Sequence, residues 1–400
     1  MSFFGTQSKM TLQDLIEKYS AYQIEMRRYF HQHPEESTKE VKTAERIREE
    51  LDKAEIPWRV CGMGTGTLAR IEGKLPGKTI MLRGDIDALS VTEKTGLPFA
   101  SENEGVMHAC GHDCHISMLL TAARMLNDVR DQIKGTVLLA FQPAEEIGRG
   151  AQSMIAEGAL DGVDACFGMH VWADYPAGTV GIRKGPTMAS GDKFTITVKG
   201  KSTHGAQPHH GTDALVMAAS IVMNLQTMVS REFSPIDTAV VTVGKLTSGT
   251  RFNVVAGDAV MEGTTRTFSK EIRDSFAERI TRIAKCTAEA MRGTAEVNYE
   301  YLVPVTTNDP KICDLAAEAV TKIFGEGKVV EAEQTMGGED FAYYQEKIPG
   351  AMVFLGIRNP ACNAVYPQHH MCYTVDESVL VKGAALHTQT ALNFLGAELK

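Results

Sequence analysis

The feature that most constrains the fold of this chain is a series of short segments built almost wholly from apolar residues. Residues 137–141 and 165–169 contain no polar side chain, and the segments 67–71 and 79–82 are mainly apolar with glycines close by. A strand that is buried on both faces has this continuous apolar pattern, whereas a half-exposed strand alternates. These segments therefore predict strands in the interior of a sheet that is covered on both sides.

Helical patterns lie between these predicted strands. Apolar residues at helical spacing follow capping-box patterns at Thr11 and Ser37, and residues 119–126 are also typical of a helix. Strands that alternate with helices indicate an α/β domain. We therefore expect a mostly parallel sheet with helices on both faces.

The pattern changes near Pro186, where the segment 194–198 alternates like a half-exposed strand. From there the predicted order is strand, helix, strand, strand, helix, strand, over residues 194–198, 213–228, 238–244, 254–262, 271–291 and 295–301. This order is typical of ferredoxin-like α+β domains. We expect a larger α/β domain of residues 1–186 and 303–400, with a smaller domain of residues 187–302 inserted into it.

Composition excludes several classes of protein. The net charge is −9 and no cluster of Lys or Arg stands out, which argues against a nucleic-acid partner. The sequence has no continuous apolar run of about 20 residues, and Met1–Met10 are polar, so neither a membrane span nor a secretory signal is expected. The eight cysteines are scattered without a CxxC pair, which favours a reducing cytoplasm.

The stretch from His108 to His115 is the first candidate for chemistry. Cys110 and His112 carry the soft and borderline donors that bind divalent metals. Residues two apart lie on opposite sides of a helix, so these two can converge only on a turn, which Gly111 permits. A histidine-rich loop around a buried cysteine would give the same local pattern.

Acidic and imidazole side chains follow three of the predicted strands: Asp85 and Asp87, Glu145 and Glu146, and His170. Open α/β sheets place their sites at the carboxyl ends of strands. One of the two glutamates could bind a metal while the other acts as a general base, and the aspartates could bind a metal or orient a histidine that does. Taken singly, the aspartates also suit a turn or helix cap, and the glutamates a solvated surface.

Taken together, these stretches resemble the M20 metallopeptidase family. The similarity is to its amidohydrolase branch of hippurate hydrolases, auxin-conjugate hydrolases and N-acetyl-amino-acid deacetylases. The matching stretches run in the family's order from residue 30 to the C-terminus: FHQHPE, RGDIDAL, MHACGHDCH, FQPAEE, GMHV, STHGAQPHHGTDA, FNVVAGDAVMEGTTR, GGEDFA and a late histidine pair.

The resemblance implies a catalytic domain that binds two divalent ions, Mn²⁺ or Zn²⁺. The implied ligands are Cys110, His112, Glu146, His170 and one late histidine. Of the two roles open to Asp85 and Asp87, we expect that they orient a ligand rather than bind an ion. Counting back from Asp376 and Glu377 favours His369 as the late ligand. His370 is the alternative, because the chain has His-His-Met where the family has a proline.

The resemblance also implies that residues 187–302 form a lid that makes the contact of a homodimer. In the family, His204 would donate to the substrate carbonyl from the partner subunit. Asn253 would hold the carbonyl and Arg266 the substrate carboxylate, which suits the planar guanidinium fork. Gly338, in the GGED stretch, joins the expected substrate-binding residues. Arg266 could also be an ordinary surface residue of a strand.

The implied activity is hydrolysis of the amide bond of N-acyl amino acids, with a metal-activated water and Glu145 as general base. A dipeptidase or an N-acetyl-diaminopimelate deacetylase would use the same chemistry. Cys110 as a nucleophile ranks lower, since it lies beside His112 in a metal-like cluster. A non-catalytic metal-binding sensor or carrier is a more distant alternative, because Glu145 and His204 are both present.

Overall fold

The computed structural model describes residues 10–399, which divide into two compact units. The first unit comprises the described chain through Gly185, Thr307–Glu333, and the described chain from Asp340 onward. The second comprises Pro186–Thr306 and Gln334–Glu339. The second unit thus includes a short late segment that the sequence division had placed in the larger domain. The expectation about an N-terminal signal concerns mainly residues 1–9, which lie outside the described residues.

The helices of the described chain are α1 (Leu12–Gln32), α2 (Val41–Lys53), α3 (His112–Asp128), α4 (Gly150–Ala156), α5 (Ala214–Thr227), α6 (Lys270–Ala290), α7 (Pro310–Phe324), α8 (Ala342–Gln345) and α9 (Leu380–Leu395). The strands are β1 (Trp58–Val60), β2 (Thr67–Glu72), β3 (Leu75–Asp85), β4 (Lys134–Gln142), β5 (Ala165–Pro176), β6 (Val180–Ile182), β7 (Gly185–Met188), β8 (Ser190–Lys199), β9 (Thr203–His204), β10 (Ala239–Ser248), β11 (Val254–Val255), β12 (Asp258–Thr267), β13 (Thr294–Val303), β14 (Thr306–Asn308), β15 (Val329–Glu331) and β16 (Gly350–Arg358).

The first unit is built on an eight-stranded sheet in the order β1-β2-β4-β3-β5-β16-β6-β15. The four strands β4, β3, β5 and β16 run parallel to one another. β2 and β1 continue the sheet antiparallel at one side, and β6 lies antiparallel to β16 at the other. The predicted α/β class with a mostly parallel sheet is confirmed, with antiparallel strands toward the edges.

Successive side chains of β3 show why the segment 79–82 is mainly apolar. Ile80 and Leu82 are buried in the core beneath α1, α3, α7 and α9. Met81 points the other way, into a second core with residues of α4 and α8. Burying one side chain of this size stabilises the folded state by about 1.5–3 kcal/mol relative to leaving it exposed. Helices therefore cover both faces of the sheet, as the apolar runs predicted.

Parallel pairing brings the ends of these strands to one edge of the sheet. Asp85 at the end of β3 lies level with Gln142 at the end of β4. β5 continues past its predicted end at Met169, because His170 still pairs with Phe354 of β16. His170 therefore lies within a strand rather than closing it.

The second unit has a four-stranded antiparallel sheet in the order β10-β12-β8-β13, which with α5 and α6 is the predicted ferredoxin-like arrangement. Its core includes Phe194, Ile221 and Phe276. The single strand predicted over 254–262 is wrong. The chain first pairs β11 with β9, and then joins β8 from Asp258 onward.

The helical segment Ala214–Glu232 has the length and apolar composition of a membrane-crossing helix, with a mean hydropathy of 1.2. It is not a continuous apolar run, because Asn224, Gln226 and Arg231 lie within it. Buried core helices of water-soluble proteins can have the same length and apolar composition. Met217, Ile221 and Leu225 on this segment are buried in the core of the second unit.

Candidate active site

The turn before α3 brings the side chains of Cys110 and His112 to the same side. Gly111 has φ of +87°, a left-handed conformation that allows the reversal between them. A Cβ atom at Gly111 would lie 2.4 Å from Cγ2 of Val171, so the position has no room for a side chain. The sequence predicts a turn at this glycine, and the structure places Cys110 and His112 in one donor group with His170.

Asp87 orients two of the proposed ligands at once. Nδ1 of His112 donates to the backbone carbonyl of Asp87 at 2.8 Å, which leaves Nε2 available as a lone-pair donor. Oδ2 of Asp87 accepts the backbone N–H of Glu146 at 3.1 Å and the hydroxyl of Ser37 at 2.6 Å. The capping box predicted at Ser37 is wrong, because α2 begins after Glu40 and Ser37 instead braces this aspartate.

A strained turn after β4 presents the glutamate pair. Ala144 has φ of +54°, and its N–H donates to the buried carboxylate of Glu40 at 3.0 Å. Positive φ at a non-glycine residue costs free energy and persists where the surroundings enforce it. Glu145 and Glu146 follow directly, and their carboxylates lie in one donor group with His112.

His170 reaches the same cluster from β5. Its Nδ1 donates to the carbonyl of Val171 at 2.7 Å, and its Nε2 lies 3.5 Å from Sγ of Cys110. As with His112, a backbone carbonyl fixes one ring nitrogen and leaves the other for an ion.

The late histidine pair is separated by the fold. His369 has φ of +66°, donates its N–H to the carbonyl of Ala109 at 2.7 Å, and shares a donor group with Cys110 and Glu146. His370 stacks on Tyr366, and its Nδ1 accepts the N–H of Cys372. The geometry therefore supports His369 as the late ligand, while His370 lies in no donor group of residues 10–399.

The residues present fit two divalent ions. Cys110 is common to two groups, one with His112 and His170 and the other with Glu146 and His369, and the donor atoms within each group lie within 4.8 Å of one another. Nε2 of His112 and Oε1 of Glu146 are buried with no hydrogen-bond partner among residues 10–399. They lie 3.7 Å apart, and Nε2 of His369 lies 3.6 Å from the same Oε1. Ligand atoms around a tetrahedral ion are separated by about 3.3–3.8 Å at ordinary bond lengths.

Burial and the nearby carboxylates have opposite effects on the pKa of His112 and the same effect on the pKa of Cys110. Burial alone would lower the pKa of His112, but the carboxylates of Asp85 and Asp87 raise it well above its usual value. Burial raises the pKa of the Cys110 thiol, and the nearby Glu146 carboxylate raises it further. A divalent cation supplies the positive charge that favours the neutral imidazole and the thiolate together.

A buried network behind Asp85 was missed by sequence reasoning. The guanidinium of Arg83 donates to Asp85 at 2.6 Å, to Gln142 at 2.9 Å and to Asp340 at 2.9 Å. Nε2 of Gln142 donates to both carboxylate oxygens of Asp340. These residues belong to the stretches RGDIDAL, FQPAEE and GGEDFA, which match the family, but the sequence does not predict the contacts between them.

The expected lid residues lie in the second unit. His204 is exposed and pairs with Val254, and the carbonyl of the neighbouring Asn253 accepts the N–H of Gly205 at 2.8 Å. Arg266 is half-buried on β12 and donates to the carbonyl of Thr265 at 2.9 Å. Gly338 belongs to the late segment of the same unit. Their roles toward a substrate remain predictions.

The chain is similar to known proteins over most of its length. Residues 81–393 match the family described as peptidase family M20/M25/M40. The chain is 42% identical over 370 residues to N-acetylcysteine deacetylase of Bacillus subtilis (strain 168), covering 92% of this chain and 96% of the relative. It is 35% identical over 383 residues to IAA-amino acid hydrolase ILR1-like 4 of Arabidopsis thaliana, covering 95% and 87%. The crystal structure of the Bacillus subtilis YxeP protein, described as a dinuclear metal binding peptidase from the M20 family, matches with a TM-score of 0.84 and 39% identity, covering 96% of this chain and all of that one.

These matches define the class as metal-binding hydrolases of amide bonds. The chain belongs to the M20/M25/M40 peptidase family, in its amidohydrolase branch.

Proposed function

We propose that the protein hydrolyses the amide bond of N-acyl amino acids, releasing a carboxylic acid and a free amino acid. The observation that carries the proposal is the convergence of the Cys110, His112, Glu146, His170 and His369 donors beside a second carboxylate, Glu145. When bound there, two divalent ions, Mn²⁺ or Zn²⁺, supply Lewis-acid activation of a water and of the amide carbonyl.

Glu145 is the proposed general base. Its carboxylate oxygen lies within 4.8 Å of the donor atoms of His112 and Glu146. This proximity supports a role for Glu145 in taking a proton from a water held by the cluster. The same carboxyl then delivers that proton to the amide nitrogen, which leaves as an amine. Glu146, whose N–H is fixed by Asp87, serves as a ligand.

The substrate class is supported by the names of two relatives, N-acetylcysteine deacetylase and IAA-amino acid hydrolase ILR1-like 4. Every N-acyl derivative of an α-amino acid carries a free carboxylate next to the amide. Arg266 is proposed to bind it, and Asn253, Gly338 and the partner's lid are proposed to complete the site around the carbonyl. We further propose a cytoplasmic homodimer in which His204 acts on the site of the partner subunit.

A substrate panel on the metal-loaded enzyme tests the proposal. We expect release of amino acid from N-acetyl and N-benzoyl amino acids at kcat/KM at least tenfold above that for dipeptides and N-acetyl-diaminopimelate. Each acyl amino acid is paired with its carboxamide, which lacks the carboxylate. Arg266→Gln should raise KM for the acids and leave the carboxamides unchanged, because it removes the bidentate partner of a carboxylate.

Faster turnover of dipeptides than of any acyl amino acid would overturn the proposed substrate class. Equal effects of Arg266→Gln on acids and carboxamides would remove Arg266 from the carboxylate site.

Subunit exchange tests the proposed role of the lid. Glu145→Gln and His204→Ala should each be nearly inactive, since one removes the base and the other an oxyanion donor worth about 10²–10³ in kcat. In a random mixture half of the dimers are mixed, and one of their two sites has both residues intact, so activity should recover to about a quarter of wild type. No recovery after demonstrated exchange would show that each lid serves its own subunit.

A further inference from the structure

The backbone of Val171 joins three segments of the site. Its N–H donates to Nε2 of His115 at 2.9 Å. Its carbonyl accepts from Nδ1 of His170 at 2.7 Å and from Nε2 of Gln368 at 3.0 Å. His115 belongs to the first turn of α3, His170 and Val171 to β5, and Gln368 directly precedes the proposed ligand His369. The backbone N–H and the carbonyl of Val171 are thus both hydrogen-bonded to side chains of the site.

His115 is fixed in one tautomer by these contacts. A backbone N–H can only donate, so Nε2 of His115 must accept, and the ring proton is on Nδ1. Nδ1 donates to Oδ1 of Asp85 at 2.5 Å. Although His115 forms a close group with Asp85 and His112, neither ring nitrogen retains a lone pair for an ion. His115 therefore links Asp85 to Val171 rather than adding a metal ligand.

The orientation of His170 depends on this backbone unit. Its imidazole is hydrogen-bonded to the carbonyl of Val171, so a rotation of that peptide would turn Nε2 away from Cys110, which lies 3.5 Å from it. Gln368 holds the same carbonyl, and the adjacent His369 is in a left-handed conformation that an unrestrained histidine would leave. Removing a hydrogen bond that orients a metal ligand typically lowers the metal affinity by about 10–100-fold.

We propose that His115 and Gln368 are positioning residues that clamp the Val171 peptide and thereby set the directions in which His170 and His369 present their ring nitrogens. The inference rests on the ligand set of the proposed function. It concerns metal binding, so it can be tested without a substrate.

Two substitutions each remove one of the two hydrogen bonds of His115, which join it to Asp85 and to Val171. Asparagine reaches about as far as Nδ1, so His115→Asn keeps a donor for Asp85 and loses the acceptor for Val171. Glutamine reaches about as far as Nε2, so His115→Gln keeps the acceptor for Val171 and loses the donor for Asp85. Gln368→Leu removes the other half of the clamp at a half-buried position.

Metal affinity is measured by titrating Co²⁺ into the metal-free full-length enzyme, following the near-ultraviolet thiolate band of Cys110 and the visible bands of the ion. Equilibrium dialysis with Zn²⁺ gives the stoichiometry. We expect His115→Asn and Gln368→Leu to weaken one of two binding steps by about 10–100-fold and to change the visible spectrum. His115→Gln should weaken it by less than the asparagine variant. His387→Gln, at another buried histidine, should bind both ions like wild type.

Wild-type metal affinity and spectrum in folded Gln368→Leu and His115→Asn would overturn the proposal. So would a larger loss in His115→Gln than in His115→Asn, because the clamp on Val171 would then not be the contact that matters. If the wild type binds two ions but releases no amino acid from acyl amino acids, the proposed function fails while these binding results still decide the positioning role.

Discussion

Replacing Gly111 with alanine tests how strictly the turn between the proposed ligands Cys110 and His112 depends on glycine. The residue has φ of +87°, and an added Cβ would lie 2.4 Å from Cγ2 of Val171 and 2.7 Å from the hydroxyl oxygen of Tyr373. A left-handed backbone costs an L-residue about 1–2 kcal/mol. Overpacking of a rigid neighbour costs about 1–3 kcal/mol. The free energy of unfolding of Gly111→Ala should therefore fall by about 2–5 kcal/mol.

Gly96 provides the matched control. It has φ of +70°, and an added Cβ would meet no atom within 4 Å. Gly96→Ala should therefore cost only the backbone part, about 1–2 kcal/mol. The difference between the two variants measures the steric overlap at Gly111.

Urea unfolding followed by tryptophan fluorescence is a suitable assay, because both tryptophans, Trp58 and Trp172, lie in the first unit. Gly111→Ala should also bind Co²⁺ more weakly than wild type, since Cys110 and His112 flank the turn. Equal unfolding free energies for Gly111→Ala and Gly96→Ala, together with wild-type Co²⁺ binding in both, would refute the reasoning.

Three further predictions concern single side chains. Cys110→Ser should lose at least one metal equivalent by elemental analysis and most of its turnover, since a serine hydroxyl does not ionise near pH 7; full occupancy and activity would exclude Cys110 as a ligand. His369→Ala should lose one equivalent while His370→Ala keeps two, and the reverse result would exchange their roles. Burial lowers the pKa of His387 to about 3, so the unfolded chain binds a proton near pH 6.5 that the folded protein does not. The free energy of unfolding of the wild type should therefore fall as the pH falls below 6.5, by about 2 kcal/mol at pH 5 from this group alone. Urea unfolding of His387→Leu should show a correspondingly smaller decrease between pH 7 and pH 5. Equal decreases in the wild type and the variant would contradict the prediction.

The elements and donors that the sequence predicted best are those with a local signal. The apolar runs of β4 and β5 gave the interior of the sheet, and the capping box at Thr11 is present in the structure. Because parallel strands end at one edge, the acidic residues after them could be expected to meet. The structure brings Glu145 and Glu146 together with His112 accordingly.

The contacts that position these donors left no such signal. Ser37 and Glu40 look like the start of a helix, yet their side chains hold Asp87 and the turn before Glu145. The bonds of Arg83 to Asp340 and of Gln368 to Val171 join residues far apart in the chain. Such partners depend on the completed fold, and no periodicity or spacing in the sequence encodes them.

The measurement that tests the central claim most directly is the metal content and turnover of two isosteric variants, Glu145→Gln and Glu146→Gln. The amide of glutamine cannot accept a proton from water, so Glu145→Gln should retain two metal equivalents and lose turnover by at least about 10²-fold. Glu146→Gln should instead lose metal, because its carboxylate is shared by the donor groups of His112 and His369. An empty site in Glu145→Gln beside a full site in Glu146→Gln would contradict the assignment of base and ligand.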